Sequence, residues 1–91
     1  MLEKVIERRV CDYAKSKSFL VYKFTSPARA AVPDRLFISP NGMVFFIEFK
    51  AQGKKPTPQQ TREHLKLMGN KALVFVVDNV DEGKRIIDTI I

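Results

Sequence analysis

A chain of 91 residues that is 45% hydrophobic is long enough for one small domain and no more. With 16 basic and 10 acidic side chains its net charge is +6 and its pI is near 9.7, which points to an anionic partner, nucleic acid before acidic membrane, although such a charge also aids solubility. One cysteine, Cys11, excludes an intramolecular disulfide, and Cys11 with one histidine, His64, makes no zinc site.

Residues 2 to about 17 read as a helix. Leu2, Val5, Ile6, Val10, Tyr13 and Ala14 form an apolar stripe at helical spacing, with Lys4, Arg8, Arg9, Lys15 and Lys17 largely off it. Cys11 falls in this pattern as a small packing residue. Glu3 and Glu7 lie one turn apart at one edge of the stripe. Either could face a site elsewhere in the fold, or both are solvated acids. Leu20-Val21-Tyr22-Lys23-Phe24 reads as a strand, and residues 25–33 as a loop in which Pro33 holds Val32 extended. Lys23, Arg29 and Arg35 surround that loop and suit contacts to phosphates.

Arg35 to Ser39 and Met43 to Lys50 read as two strands joined by Pro40-Asn41-Gly42, a hairpin turn. The second, Met-Val-Phe-Phe-Ile-Glu-Phe-Lys, is apolar enough to be central. Strand alternation puts Glu48 and Lys50 on one face and Phe49 on the other. Antiparallel pairing returns the end of this strand to Asp34. Two carboxylates and a lysine therefore meet at one end of a hairpin. Paired carboxylates repel unless a cation lies between them, and oxygen ligands suit Mg²⁺ or Mn²⁺. A lysine beside them can orient a water or hold a phosphate oxygen. That is equipment for metal-assisted phosphodiester hydrolysis. The alternative is a structural ion pair at a strand end.

Residues 51–56 form a basic loop whose Lys54 and Lys55 either contact a DNA backbone or are merely solvated. Thr57-Pro58-Gln59-Gln60 opens a second helix, with Thr57 as N-cap and Gln60 completing a capping box. This helix runs to Met68 and stops at Gly69-Asn70. His64 on it faces either the site or solvent. Ala72 to Val77 is a further buried strand. Asn79 caps a last helix, with Asp81 and Glu82 in its first turn and Ile86, Ile87, Ile90 and Ile91 on its apolar face. The order α-β-β-β-α-β-α predicts an α/β fold, a mixed central sheet flanked by helices, and an extra C-terminal helix. No N-terminal h-region and no apolar run of spanning length is seen, which predicts an intracellular protein with no signal peptide and no membrane partner.

Pro33-Asp34 followed by Glu48-Phe49-Lys50 on this order resembles the PD-(D/E)xK nuclease superfamily with its restriction-endonuclease-like αβββαβ core. More narrowly, the chain resembles the virus-type replication-repair nuclease (VRR-NUC) domain over nearly its whole length, 1–91. A Glu-bearing first helix, Tyr22-Lys23-Phe24, Ser26-Pro27, Val32-Pro33-Asp34-Arg35-Leu36, Phe46-Ile47-Glu48-Phe49-Lys50-Ala51 and Pro58-Gln59-Gln60 carry the likeness. The resemblance implies that Asp34, Glu48 and the Phe49 carbonyl are ligands of Mg²⁺ or Mn²⁺, that Lys50 positions or activates the attacking water, and that Gln60 lies near the site. It implies a first-helix acidic ligand, matched best by Glu7 with Glu3 as runner-up. It also implies a homodimer cutting branched DNA, four-way (Holliday) junctions above all, with 5′-phosphate and 3′-hydroxyl products. Its source would be a phage or prophage, and its place of action the host cytoplasm. A flap or nicking nuclease and a non-catalytic basic DNA-binding module are the competing functions. The chain departs from many relatives in having Ala31 where they carry glycine two residues before the Pro-Asp pair. If that position needs positive φ, alanine strains the loop.

Overall fold

The stripe at helical spacing becomes α1 (Glu3–Ser16), whose Ile6, Val10, Cys11 and Ala14 are buried. The structure, a computed structural model, is described over residues 1–90. Ile91, the last apolar residue of the predicted final helix, lies outside the described residues. Helix α1 closes in a left-handed turn at Ser18 (φ 68°), where Ser18 N–H donates to the Lys15 carbonyl and Phe19 N–H to the Ala14 carbonyl, both at 3.0 Å. That turn drops Phe19 into the core and starts β1 (Leu20–Lys23).

Strands β2 (Arg35–Ile38) and β3 (Val44–Phe49) form the predicted hairpin, with Gly42 at φ 88° in its turn. β4 (Leu73–Val77) follows α2 (Pro58–Gly69), and α3 (Val80–Ile90) ends the fold. The strand order is β1-β2-β3-β4. β1 and β3 both run antiparallel to β2, and β4 runs parallel to β3. The predicted mixed sheet is therefore present, and each predicted element lies within a residue or two of its expected bounds.

Period-two alternation divides the sheet into two faces. Phe37, Phe45, Ile47, Phe49 and Val77 point to one and are fully buried there beneath α1 and α3. Phe37 stacks on Phe45 at 5.0 Å between centroids, and Phe19 and Phe75 meet the Phe45 ring edge-on. Burying each such ring contributes about 2 to 3 kcal/mol. Gly83 lets α3 approach α1, since a Cβ there would stand 2.4 Å from Val10 Cγ2. Val10 and Ile87, fully buried, thus lie in the core, where α1 and α3 pack on each other and on the sheet, while Ile86 and Ile90 are partly buried.

Helix α2 lies on the opposite face, toward β4. Its capping box forms as predicted, Gln60 N–H donating to Thr57 Oγ1 at 3.1 Å and Thr57 N–H to Gln60 Oε1 at 2.9 Å. Its end differs from expectation. Gly69 is still helical, and the left-handed residue is Lys71 (φ 72°). Lys71 N–H donates to the Met68 carbonyl and Ala72 N–H to the Leu67 carbonyl, so this turn satisfies the last carbonyls without glycine. On this face Leu20, Tyr22 and Val44 remain exposed, as do Leu65 and Met68 of α2.

Candidate active site

The β2–β3 register decides the site. Arg35 pairs with Ile47, so Asp34, one step before it, stands opposite Glu48. Asp34 is pinned there twice. Its Oδ2 accepts from Phe49 N–H at 2.7 Å, and its carbonyl accepts from Phe24 N–H at 3.0 Å, closing the 25–33 loop at its base. Lys50 N–H donates to the Val77 carbonyl at 2.9 Å, which continues the β3–β4 ladder and fixes the lysine beside the acids. The structure thus brings Asp34, Glu48 and Lys50 together as the hairpin predicts.

Glu48 is only 2% exposed. Its Oε2 accepts from Gln60 Nε2 at 3.1 Å and lies 3.4 Å from Lys50 Nζ. Gln60 therefore serves twice, capping α2 with its oxygen and holding Glu48 with its nitrogen. Burial, and then the Asp34 carboxylate, push the Glu48 carboxyl up to about 7 despite Lys50. Burial also raises Asp34, though the Phe49 N–H opposes it. Among the described residues Lys50 makes an ion pair with Glu48 and none with Asp34. Glu48 Oε1 is buried with no hydrogen-bond partner. An ion pair built for stability would satisfy both acids and both oxygens. This one leaves negative charge uncompensated, which fits a place for a cation.

The first-helix acids are less settled. Glu7 Oε2 accepts from Arg35 Nε at 2.7 Å, so the favoured ligand is tied to a guanidinium. Glu3 and Glu7 both line a cleft of about 210 Å³ with Lys4, Lys23, Phe24, Thr25 and Asp34. Among the described residues no three His, Cys, Asp or Glu side chains are gathered closely enough to hold a metal as they stand. The cleft brings both acids near Asp34 without joining either to it.

The predicted basic residues divide into two sets. Lys23, Lys54 and Lys55 are exposed. Arg35 is engaged by Glu7, and Arg29 makes a two-pronged ion pair with Glu63, Nη2 to Oε1 at 2.9 Å and Nε to both oxygens at 3.1 Å. Arg29 holds Glu63 below the usual carboxylate range. The ion pair ties the 25–33 loop to α2 beside a depression of about 350 Å³ lined by Gln59, Arg62 and Lys66. Sequence reasoning passed over Arg62, Glu63 and Lys66. Their spacing with Gln59, three, one and three residues, marks one face of a helix and was the available signal. Cys11 is buried and pushed up to about 11 by that burial, an inert packing residue as expected.

Ala31 sits at φ 68°, the conformation that favours glycine. The loop keeps its left-handed turn and alanine bears the strain, about 1 to 2 kcal/mol. Ala31→Gly relieves it but loosens the unfolded chain by about 0.5 to 1 kcal/mol. The expected result is a gain of up to about 1 kcal/mol in denaturant unfolding. A loss of stability would mean that the turn is not strained.

Known proteins are similar to this chain in sequence and in fold. The phage protein "Putative nuclease p44" of Acyrthosiphon pisum secondary endosymbiont phage 1 is 44% identical over 79 residues, covering 87% of this chain and 85% of its own length. A solved VRR_NUC domain superposes with a TM-score of 0.87 at 31% identity, over 94% of each chain. A second solved structure, a VRR_NUC domain protein, shares the fold at a TM-score of 0.79 and 18% identity, covering 97% of this chain and 86% of its own. No family model matches the sequence.

Proposed function

Because the chain belongs to the VRR_NUC family of nuclease domains, we propose that residues 1–91 form one divalent-metal-dependent DNA endonuclease domain that acts as a homodimer on branched DNA, four-way junctions first. The observation that carries the reading is Glu48, buried beside Asp34 with one oxygen unpartnered. The donor set fits the cation. The Asp34 and Glu48 carboxylates and the Phe49 carbonyl are hard oxygen ligands, suited to Mg²⁺ or Mn²⁺. Glu7, or Glu3 if Arg35 keeps Glu7, would complete the set from α1. A bound divalent ion supplies positive charge to the scissile phosphate and makes water a better nucleophile at neutral pH.

The protein's own groups do the rest. Lys50 orients the attacking water and offsets charge that builds on the phosphoryl oxygens. Gln60 and Lys50 hold the Glu48 carboxylate. Lys23, Lys54 and Lys55, with Arg62 and Lys66, take up phosphates of the DNA backbone. Attack at phosphorus with departure of the 3′ oxygen leaves 5′-phosphate and 3′-hydroxyl ends. A four-way junction needs two cuts on opposing strands, and a two-fold dimer provides two sites. Leu20, Tyr22 and Val44 on the open half of the sheet, and Leu65 and Met68 on α2, are exposed apolar groups that a second copy could cover. No described helix is long and apolar enough to cross a membrane, and the phage relative favours a phage or prophage protein acting in the host cytoplasm.

The test is cleavage of labelled linear, flapped and four-way DNA with Mg²⁺, Mn²⁺ or EDTA, beside light scattering at micromolar protein. Metal-dependent paired cuts in four-way DNA and a dimer mass are expected. A monomer that cuts only flaps would replace the junction reading with flap cleavage. DNA binding without cleavage under any metal would leave a basic binding module.

A further inference from the structure

His64 lies on the sheet-facing side of α2, one turn beyond Gln60, and is 4% exposed. Its Nε2 stands 3.8 Å from Glu48 Oε1. Both atoms are buried, and neither has a hydrogen-bond partner among the described residues. Buried polar groups are paired almost without exception, so two orphans facing each other call for a role. A side chain needed only to fill space would be apolar here, because an unpaired imidazole nitrogen is costly to bury.

On the other side of the same carboxylate, Gln60 donates to Oε2 and Lys50 lies beside it. We propose that His64 is a positioning residue that donates from Nε2 to Glu48 Oε1 and, with Gln60, clamps the carboxylate of Glu48 between two successive turns of α2. The inference rests on the reading of Glu48 as a metal ligand. Closing the gap to an ordinary hydrogen bond takes a movement of about 0.8 Å, within reach of side-chain rotation. Each carboxylate oxygen has two acceptor positions, so donors on both sides still leave lone pairs for a cation. The clamp fixes the plane in which those lone pairs point. Such outer partners set ligand orientation, and their loss weakens metal affinity roughly 10- to 100-fold.

The test measures Mn²⁺ affinity by calorimetry for the wild type and for His64→Ala, His64→Leu, His64→Asn and His64→Gln, with thermal unfolding as the folding control. A glutamine amide nitrogen reaches where Nε2 sits, and an asparagine amide ends near the Nδ1 position. Glutamine is therefore expected to restore most of the affinity, while alanine, leucine and asparagine weaken it by 10-fold or more. If the alanine protein does not fold, the glutamine–asparagine comparison carries the test. Wild-type affinity in the leucine protein, or equal affinity in all variants, overturns the clamp in favour of simple packing. Pulsed electron paramagnetic resonance of the Mn²⁺-loaded wild type should show no directly bound ¹⁴N. A coordinated nitrogen would overturn positioning and make His64 a ligand. A wild type that binds no Mn²⁺ at all strikes the metal reading of Glu48, and this inference falls with it.

Discussion

Lys50→Ala is expected to lower the single-turnover rate of DNA cleavage by about 10² or more while leaving DNA affinity within a few-fold of wild type. The reason is position. Lys50 Nζ is 3.4 Å from Glu48 Oε2, and its side chain is 13% exposed, so it is turned into the site and away from solvent. On the proposed reading, an ammonium held there would act on charge that develops as phosphorus is attacked. On the same reading, exposed Lys23, Lys54, Lys55, Arg62 and Lys66 would hold DNA by their charges, and all stay in place. Asp34→Asn should be as damaging to cleavage, and its amide oxygen can still accept from Phe49 N–H, so the fold should survive. A gel-shift measurement in EDTA separates binding from cutting. Without the Asp34 charge, binding should be equal or tighter, because one source of repulsion toward phosphate is gone. A Lys50→Ala protein that cuts at the wild-type rate would leave the lysine as a strand-end ion pair.

The hairpin was legible because three signals agreed. Pro40-Asn41-Gly42 fixed the turn, alternation fixed the faces of β3, and Glu48 and Lys50 interrupted an apolar run where apolar residues were expected. Together they place Asp34 opposite Glu48, as the register has it. The two roles of Gln60 were only half legible. The capping box is local and can be read from four residues, whereas the contact to Glu48 depends on how α2 lies across the sheet. His64, Glu63 and the Arg29 ion pair were hidden for the same reason. A helical wheel says which residues share a face, but not what that face meets. Glu7 is the reverse case. Family register singled it out, and a partner 28 residues away, Arg35, holds it. That α1 and α3 meet each other was only partly legible, because periodicity marks burial without saying against what. Gly83, small enough for Val10 to pack on, was the clue that these two helices meet each other.

In the metal-free protein, Glu48 should make folding less favourable as pH rises from about 5 to about 7. Its carboxyl sits near 7 in the folded state against an ordinary 4.5, chiefly because burial disfavours the charged form. Between those values the folded chain binds more protons than the unfolded one, so stability falls with rising pH and levels off above 7. The size is on the order of 3 kcal/mol. Asp34 shifts in the same direction. His64 opposes them, since burial lowers its pKa and its contribution grows as pH rises toward 6.5 and levels off above it. Glu48→Gln isolates the glutamate: the stability of wild type minus that of the variant, in EDTA, should drop between pH 5 and pH 7. A divalent cation binds the charged carboxylates and so reverses the trend. At a hundredfold excess over its Kd it adds about 2.7 kcal/mol. Mg²⁺ or Mn²⁺ should therefore raise the wild-type melting temperature more at pH 8 than at pH 5, and should raise that of Glu48→Gln far less at either. Identical melting with metal and with EDTA at pH 8, and no pH-dependent difference between wild type and Glu48→Gln, would mean that Lys50 already neutralises Glu48 and that the pair is structural.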